Sequence, residues 1–179
     1  MPAAPLEGGI TFEELKTYSG EFTASLIVDG KEWRLVDMID VLNAEREGPR
    51  LPDQGSRGHL PHAPEAALPR RHRGRGHRHR PRGRLHEFKV KGLTAHQDVV
   101  MIRRMDFVRG DYQAEIHVNG QRLDRVLDCR GEDRKFRWRN WPYVIPAQHI
   151  STAQISVKQV MLTADRDINM FRFWFYQPI

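Results

Sequence analysis

The residues best suited to chemistry lie in one stretch, RGEDRKFRWRNWPY (130–143). It combines Glu132, Asp133, Arg134, Arg137, Trp138, Arg139, Trp141 and Tyr143. That mixture suits sugar rings: the C–H face of a sugar stacks on an indole, while carboxylates and guanidinium groups bind its hydroxyls. Trp141, Tyr143, Arg139, Glu132 and Asp133 are the candidate carbohydrate-binding residues. Arginine on tryptophan can equally be structural, through cation–π contact. Trp138 and Trp141 are three apart, so on a regular strand they face opposite sides. Trp138 alternates with Phe136, which assigns Trp138 to the core. Trp141, in parity with Arg139 and Tyr143, is left for recognition. Asn140 and Pro142 could break the strand and bring both indoles onto one platform.

Hydrolysis of a glycoside needs two carboxyl groups ~5–5.5 Å apart, or ~6.5–9.5 Å apart for inversion. Glu132, Asp133, Asp165 and Asp167 are the available groups. Glu132 and Asp133 are adjacent and would point to opposite faces of a strand. Asp165 and Asp167 share parity, but Asp-Arg-Asp before a strand is commonly a plain turn. No catalytic residue is assigned. The single cysteine, Cys129, excludes an internal disulfide and a cysteine-rich zinc site. No metal and no cofactor is expected.

These residues must be positioned by a chain of 179 residues, long enough for one domain with a real core. No apolar run reaches the roughly 18–20 residues of a membrane helix, so no membrane partner is expected. The start, MPAAPLEGG, has neither the charged region nor the apolar stretch of a signal peptide, which makes a cytoplasmic location the default expectation.

The net charge of +6 is unevenly placed. Residues 48–86 hold ten Arg, no Lys, one Asp and one Glu, a sum of +8, so the other 140 residues sum to −2. Arg, Pro, Gly and His make up 28 of these 39 residues, with no β-branched or aromatic residue among the rest. Such a segment cannot bury enough apolar surface to offset chain ordering and is expected to be disordered. Three other readings compete. An Arg-rich arm would bind nucleic acid through phosphates, although no aromatics interleave for base stacking. His72, His77 and His79 could bind a metal, but the alternating arginines repel a cation. The composition is also what a GC-rich gene yields when translated out of frame.

Before this segment, Thr11-Phe12-Glu13-Glu14 matches a capping box and predicts a short helix over 12–18. Residues 21–37 read as a hairpin around Asp29-Gly30, with Trp33 in the core. Val36, Ile39 and Leu42 recur near helical spacing and predict a helix over 37–46. Asp37 and Asp40 would then be a solvated helix face.

From Glu87 onward strand follows strand: 88–93, 98–107, the hairpin 112–128 around Asn119-Gly120, 134–146, 153–163 and 168–177. No convincing helix intervenes. The expected class is mainly β: an antiparallel jelly-roll-like sandwich over 87–179, with a small α+β hairpin piece over 1–47. The last strand is apolar on both faces, which predicts either a central strand in a covered sheet or a homo-oligomer contact.

Several motifs give this region a relative. VVMIRRMDF (99–107), YQAEIHVNGQRL (112–123), FRWRNWPYVIPAQHI (136–150) and NMFRFWFYQ (169–177) resemble the closing jelly-roll region of glycoside hydrolase family 172, formerly domain of unknown function 2961. The resemblance covers about half the chain. It implies glycan chemistry in a family of two-jelly-roll, oligomeric enzymes that cleave furanosyl linkages. The family's catalytic carboxylates lie outside this region and match no residue here. The resemblance therefore implies a non-catalytic fragment or divergent relative that binds glycan. A nucleic-acid binder using the 48–86 arm and a purely structural or oligomerisation β-domain are the alternatives.

Overall fold

The computed structural model describes residues 9–18, 20, 22–40, 85–109, 111–135, 137–163 and 171–179. Among these residues one short α-helix, α1 (Phe12–Leu15), precedes ten strands. They are β1 (Ser25–Val28), β2 (Lys31–Asp40), β3 (Leu85–Lys91), β4 (Val99–Asp106), β5 (Tyr112–Val118), β6 (Gln121–Arg122), β7 (Leu127–Cys129), β8 (Trp138–Ile145), β9 (Gln154–Met161) and β10 (Arg172–Pro178). Sheet A runs β1-β2-β10-β4-β8, and sheet B runs β3-β9-β5-β6 with β7 also on β5.

The pairing is nested. β2 pairs with β10, β3 with β9, β4 with β8 and β5 with β7, all antiparallel. From β2 to β5 and again from β7 to β10 successive strands alternate between the sheets, as when one long hairpin is rolled up. That is the jelly-roll arrangement expected from the sequence. One boundary moves, however. The expected N-terminal piece is no separate unit, because β2 supplies the first strand of the roll and pairs with β10 from Trp33 to Asp40. Strand β3 likewise begins at Leu85, two residues inside the segment expected to be disordered. Residues 41–84, which carry the rest of that segment, lie outside the described residues.

Both predicted turns form. Asp29 and Gly30 adopt φ of 49° and 73°, and Asn119 and Gly120 adopt 50° and 84°. Two positive φ angles in a two-residue loop make the primed turn that matches strand twist. The capping box forms too: Glu14 N donates to Thr11 Oγ1 at 3.1 Å and Thr11 N to Glu14 Oε2 at 2.9 Å. The α-helix itself ends at Leu15 rather than at 18.

Of the helix expected over 37–46, the described part is strand: residues 37–40 belong to β2, and 41–46 lie outside the described residues. The physical reason is a bulge. Phe175 pairs with Asp37 and Tyr176 with Leu35, which skips Val36. An extra residue shifts the face on which later side chains fall. Val36 and Ile39, three apart, thus both reach the inter-sheet core, a spacing that imitates a helix. The bulge also turns Asp37 toward sheet B, where its carboxylate accepts from Lys91 N at 2.8 Å.

Two apolar clusters hold the layers. The larger lies between the sheets and includes Phe88, Val90, Met101, Tyr112, Ile116, Ile145, Val157, Phe173 and Phe175. The smaller lies on the outer face of sheet A, where Leu15 and Phe22 cover Val100, Ile102, Trp174 and Tyr176. Trp33 joins it at 5 % exposure, as expected of a core residue. The two clusters explain β10. Phe173 and Phe175 face the first cluster, and Trp174 and Tyr176 face the second. The strand lies between β2 and β4 with Phe173 to Gln177 buried, so it is not available as the subunit contact offered as one reading.

The consecutive arginines of β4 follow the same alternation. Arg103 points between the sheets, its guanidinium 4.8 Å from the Tyr112 ring centroid. Complete burial pulls its pKa down to about 10. Arg104 points outward over Trp174, at 5.4 Å.

Candidate carbohydrate-recognition site

Strand β8 is regular from Trp138 to Ile145, each residue paired in order with β4. Pro142 does not break it. Strand β8 is the edge of sheet A, and Asn140 N points away from β4 to donate to Lys16 O at 3.1 Å. Pro142, two residues on, has its nitrogen on that same free side, where no ladder donor is needed. The two indoles therefore face opposite ways, as parity requires, but the assignment of faces is reversed.

Trp141 is the residue turned toward the inter-sheet core. Its ring stacks on Phe107 at 5.3 Å and 25°, and Lys16 Nζ stands 4.9 Å from its centroid. Tyr143 is 2 % exposed and its hydroxyl donates to Arg125 O. Burial pushes its pKa up to about 12. Arg139 Nη2 donates to Asp133 Oδ2 at 2.5 Å while its guanidinium lies 5.6 Å from the Phe107 ring. Asp133 also accepts from Lys135 N at 2.8 Å, and its own N donates to Phe107 O at 3.0 Å. The structure thus brings Arg139, Trp141 and Asp133 together, but around Phe107, as the plug that closes the β8 edge of the sandwich. Glu132 is exposed, and Tyr143 is too deep to meet a ligand. Of the four carboxylates considered for hydrolysis, Asp165 and Asp167 lie outside the described residues.

Trp138, expected in the core, stands on the outer face of sheet A, half-buried. Phe171 meets it edge to face, with centroids 4.8 Å apart at 86°. Arg137 lies 5.3 Å from the Trp138 ring centroid and donates to Asp106 Oδ2 from Nε at 2.9 Å and Nη2 at 2.6 Å. Asp106 is opposite Trp138 in the β4–β8 register, and its Oδ1 accepts from Val108 N at 3.1 Å. The backbone fixes the corner: Phe107 N donates to Arg137 O at 2.6 Å.

The next row across the outer face is Asp40, Arg172, Arg104 and Asn140, one residue from each of four neighbouring strands. Arg172 Nη2 donates to Asp40 Oδ2 at 2.9 Å, and Arg104 Nε to Asn140 Oδ1 at 3.2 Å. Both guanidinium groups lie over Trp174, at 5.8 and 5.4 Å. An aromatic corner, Trp138 with Phe171, is thereby set beside fixed guanidinium–carboxylate pairs. Such a shelf can stack a sugar ring and direct its hydroxyls.

The sequence reading missed Trp138, Phe171 and Asp106. The parity of Tyr143 and Ile145, both apolar and in phase with Trp141, could have placed Trp141 inward. Among the described residues no group of three or more His, Cys, Asp or Glu side chains could hold a metal ion, and no helix is long and apolar enough to cross a membrane.

No protein-family model and no curated protein matches this chain. A solved structure, a family 35 carbohydrate-binding module from an environmental isolate, is similar at 18 % identity and a TM-score of 0.43, covering 54 % of this chain and 71 % of that one. At that score the likeness assigns nothing to this chain beyond the β-sandwich already described.

Proposed function

We propose that the protein is a non-catalytic glycan-binding β-sandwich, a divergent relative of the closing jelly roll of the furanosyl-cleaving family that its motifs resemble. The observation that carries this reading is Trp138, half-buried on the outer face against Phe171 and beside the Arg137–Asp106 pair. A large aromatic that is neither packed away nor isolated, with polar partners already oriented, is the usual makeup of a sugar platform.

The carboxylates support binding rather than hydrolysis. Asp40, Asp106, Asp128 and Asp133 are each held by an arginine, at 2.9, 2.6, 2.6 and 2.5 Å. A general acid needs a carboxyl group that keeps its proton, whereas the hydrogen bond from the Arg130 guanidinium holds Asp128 below the ordinary carboxylate range.

The test is a glycan array that includes furanosides, followed by titration of the retained sugars with Trp138→Ala and Trp141→Ala. Wild-type protein should bind, Trp138→Ala should lose binding while remaining folded, and Trp141→Ala should keep its ligand while losing stability. Unchanged binding by folded Trp138→Ala would overturn the site, and an array with no retained glycan would overturn the function.

A further inference from the structure

We propose that the outer face of sheet B binds a tetrahedral oxyanion, of the sulfate or phosphate kind, over His117 and between Lys158 and Arg122. This site lies on the opposite side of the sandwich from the Trp138 shelf and does not rest on the glycan-binding reading. Strand β5 alternates, with Tyr112, Ala114, Ile116 and Val118 buried and Gln113, Glu115 and His117 turned outward. In the register His117 stands opposite Lys158 of β9 on one side and Arg122 of β6 on the other. Ammonium, imidazole and guanidinium thus form one row across three neighbouring strands. Like charges brought together in this way destabilise a sheet, so folding alone gives no reason for the row.

The carboxylates nearby leave the row short of negative charge. Glu115, next outward on β5, lies 3.3 Å from His117 Nε2 and 3.4 Å from Arg122 Nη1, so one anion serves both. Glu87 of β3 is opposite Lys158, but its Oε1 accepts from Ser156 Oγ at 2.6 Å. Lys158 is left without an ion pair among the described residues. Further along the face, Lys89 and Lys91 of β3 add positive charge, and Asp128 of β7 is taken up by Arg130. Asp124 and Arg125, which follow β6, carry opposite charges. The Arg122 side chain is 60 % exposed, against 20 % for His117 and for Glu115. The imidazole is therefore a floor over which longer chains can close. Neighbouring strands lie ~4.8 Å apart, so the flanking residues start roughly 10 Å apart, within reach of one ion for both side chains. A guanidinium fork and an ammonium donate hydrogen bonds and accept none, and a protonated imidazole donates from both nitrogens.

Amide chemical-shift titration of the full chain with sodium sulfate, at an ionic strength matched with sodium chloride, tests the proposal. Sulfate keeps both charges over the range in which histidine titrates, so a pH effect belongs to the protein. Saturable shifts should appear at His117, Arg122 and Lys158. Binding should be about two- to fivefold tighter near pH 5.5 than near pH 8, the scale of one exposed ion pair. Lys158→Gln and Arg122→Gln should each weaken it by a similar factor, and His117→Gln should abolish the pH dependence. All three positions are on an outer face, so the variants should fold, which the dispersion of the same spectra checks. Methyl sulfate binding alongside sulfate would identify an ester group on a larger ligand, and sulfate alone a free ion; either supports the site. Shifts reproduced by chloride alone, wild-type binding that does not change with pH, or binding unaffected by the three substitutions would each overturn it.

Discussion

Asn140 is the residue whose removal has the best-defined cost. It is 1 % exposed and ties β8 to β4 and to the N-terminal segment. Its Nδ2 donates to Tyr18 O at 2.5 Å and to Leu15 O at 3.4 Å, and its Oδ1 accepts from Arg104 Nε at 3.2 Å. The two carbonyls belong to the end of α1 and the turn after it, where helix carbonyls lack partners within the helix. Asn140→Ala would remove two neutral bonds, at about 0.5–1.5 kcal/mol each, and one to a charged donor, at about 1.5–3 kcal/mol. The sum is about 2.5–6 kcal/mol, against a typical total stability of ~5–15 kcal/mol. Much of the loss should be local, because α1 is what the side chain holds. Urea denaturation should show a lower midpoint at nearly constant slope. Amide exchange should accelerate first at Leu15, Lys16 and Tyr18, which bond within this turn, and later in β5 and β9. A stability loss below about 1 kcal/mol, or uniform acceleration throughout the sandwich, would refute the view that Asn140 staples the N-terminal segment to β8.

Three further outcomes follow from the packing. Trp141→Ala should cost about 2–4 kcal/mol in a denaturant titration, somewhat less than a fully buried tryptophan, and more than Trp138→Ala; the opposite order would restore the faces expected from sequence. Gly120→Val should cost about 1–3 kcal/mol, because φ is +84° while the surrounding space is open, so the penalty is backbone strain alone; Gly120→Asn should recover most of it. Tyr143 has a folded-state pKa raised from the ordinary value of 10 to about 12, so its contribution to stability is complete below pH ~10 and is lost as pH rises from about 10 to about 12. Absorbance at the tyrosinate band should show this group ionising together with alkaline unfolding, and Tyr143→Phe should make stability fall less steeply over that range, where buried Tyr176 and Cys129, also raised, still contribute.

The strands were readable because each carries its own alternation and is closed by its own turn. The hairpin of β5 shows Tyr112, Ala114, Ile116 and Val118 on one face and ends at Asn119-Gly120, so both period and register are local. The double-sided apolarity of β10 also spoke correctly for a covered central strand. What failed depended on distant partners. The Val36 bulge is defined by β10, more than a hundred residues away, and without it the spacing of Val36 and Ile39 reads as helical. The choice of face for Trp138 and Trp141 depended on what covers each side of β8. One side meets Phe107 and the inter-sheet core, and the other meets the N-terminal segment through Asn140. Neither neighbour is adjacent in sequence, and Phe136, used to judge the phase, lies outside the described residues.

The central place of β10 has a consequence for how the molecule is made. Strands β2 and β4 never touch as neighbours; β10 lies between them, and its Arg172 bonds Asp40 across 132 residues of sequence. Until residues 172–178 leave the ribosome, sheet A is split into two parts with an open edge on each. Non-local closure of this kind is slow, and unpaired edges are exposed throughout the wait. At ~5–20 residues per second, the interval between the synthesis of β2 and that of β10 is on the order of 7–26 s. During that interval β1 and β2 can form only a hairpin, which is marginal alone. Folding is therefore tied to the synthesis of β10, and a nascent chain arrested before it lacks the element that joins the two parts of sheet A.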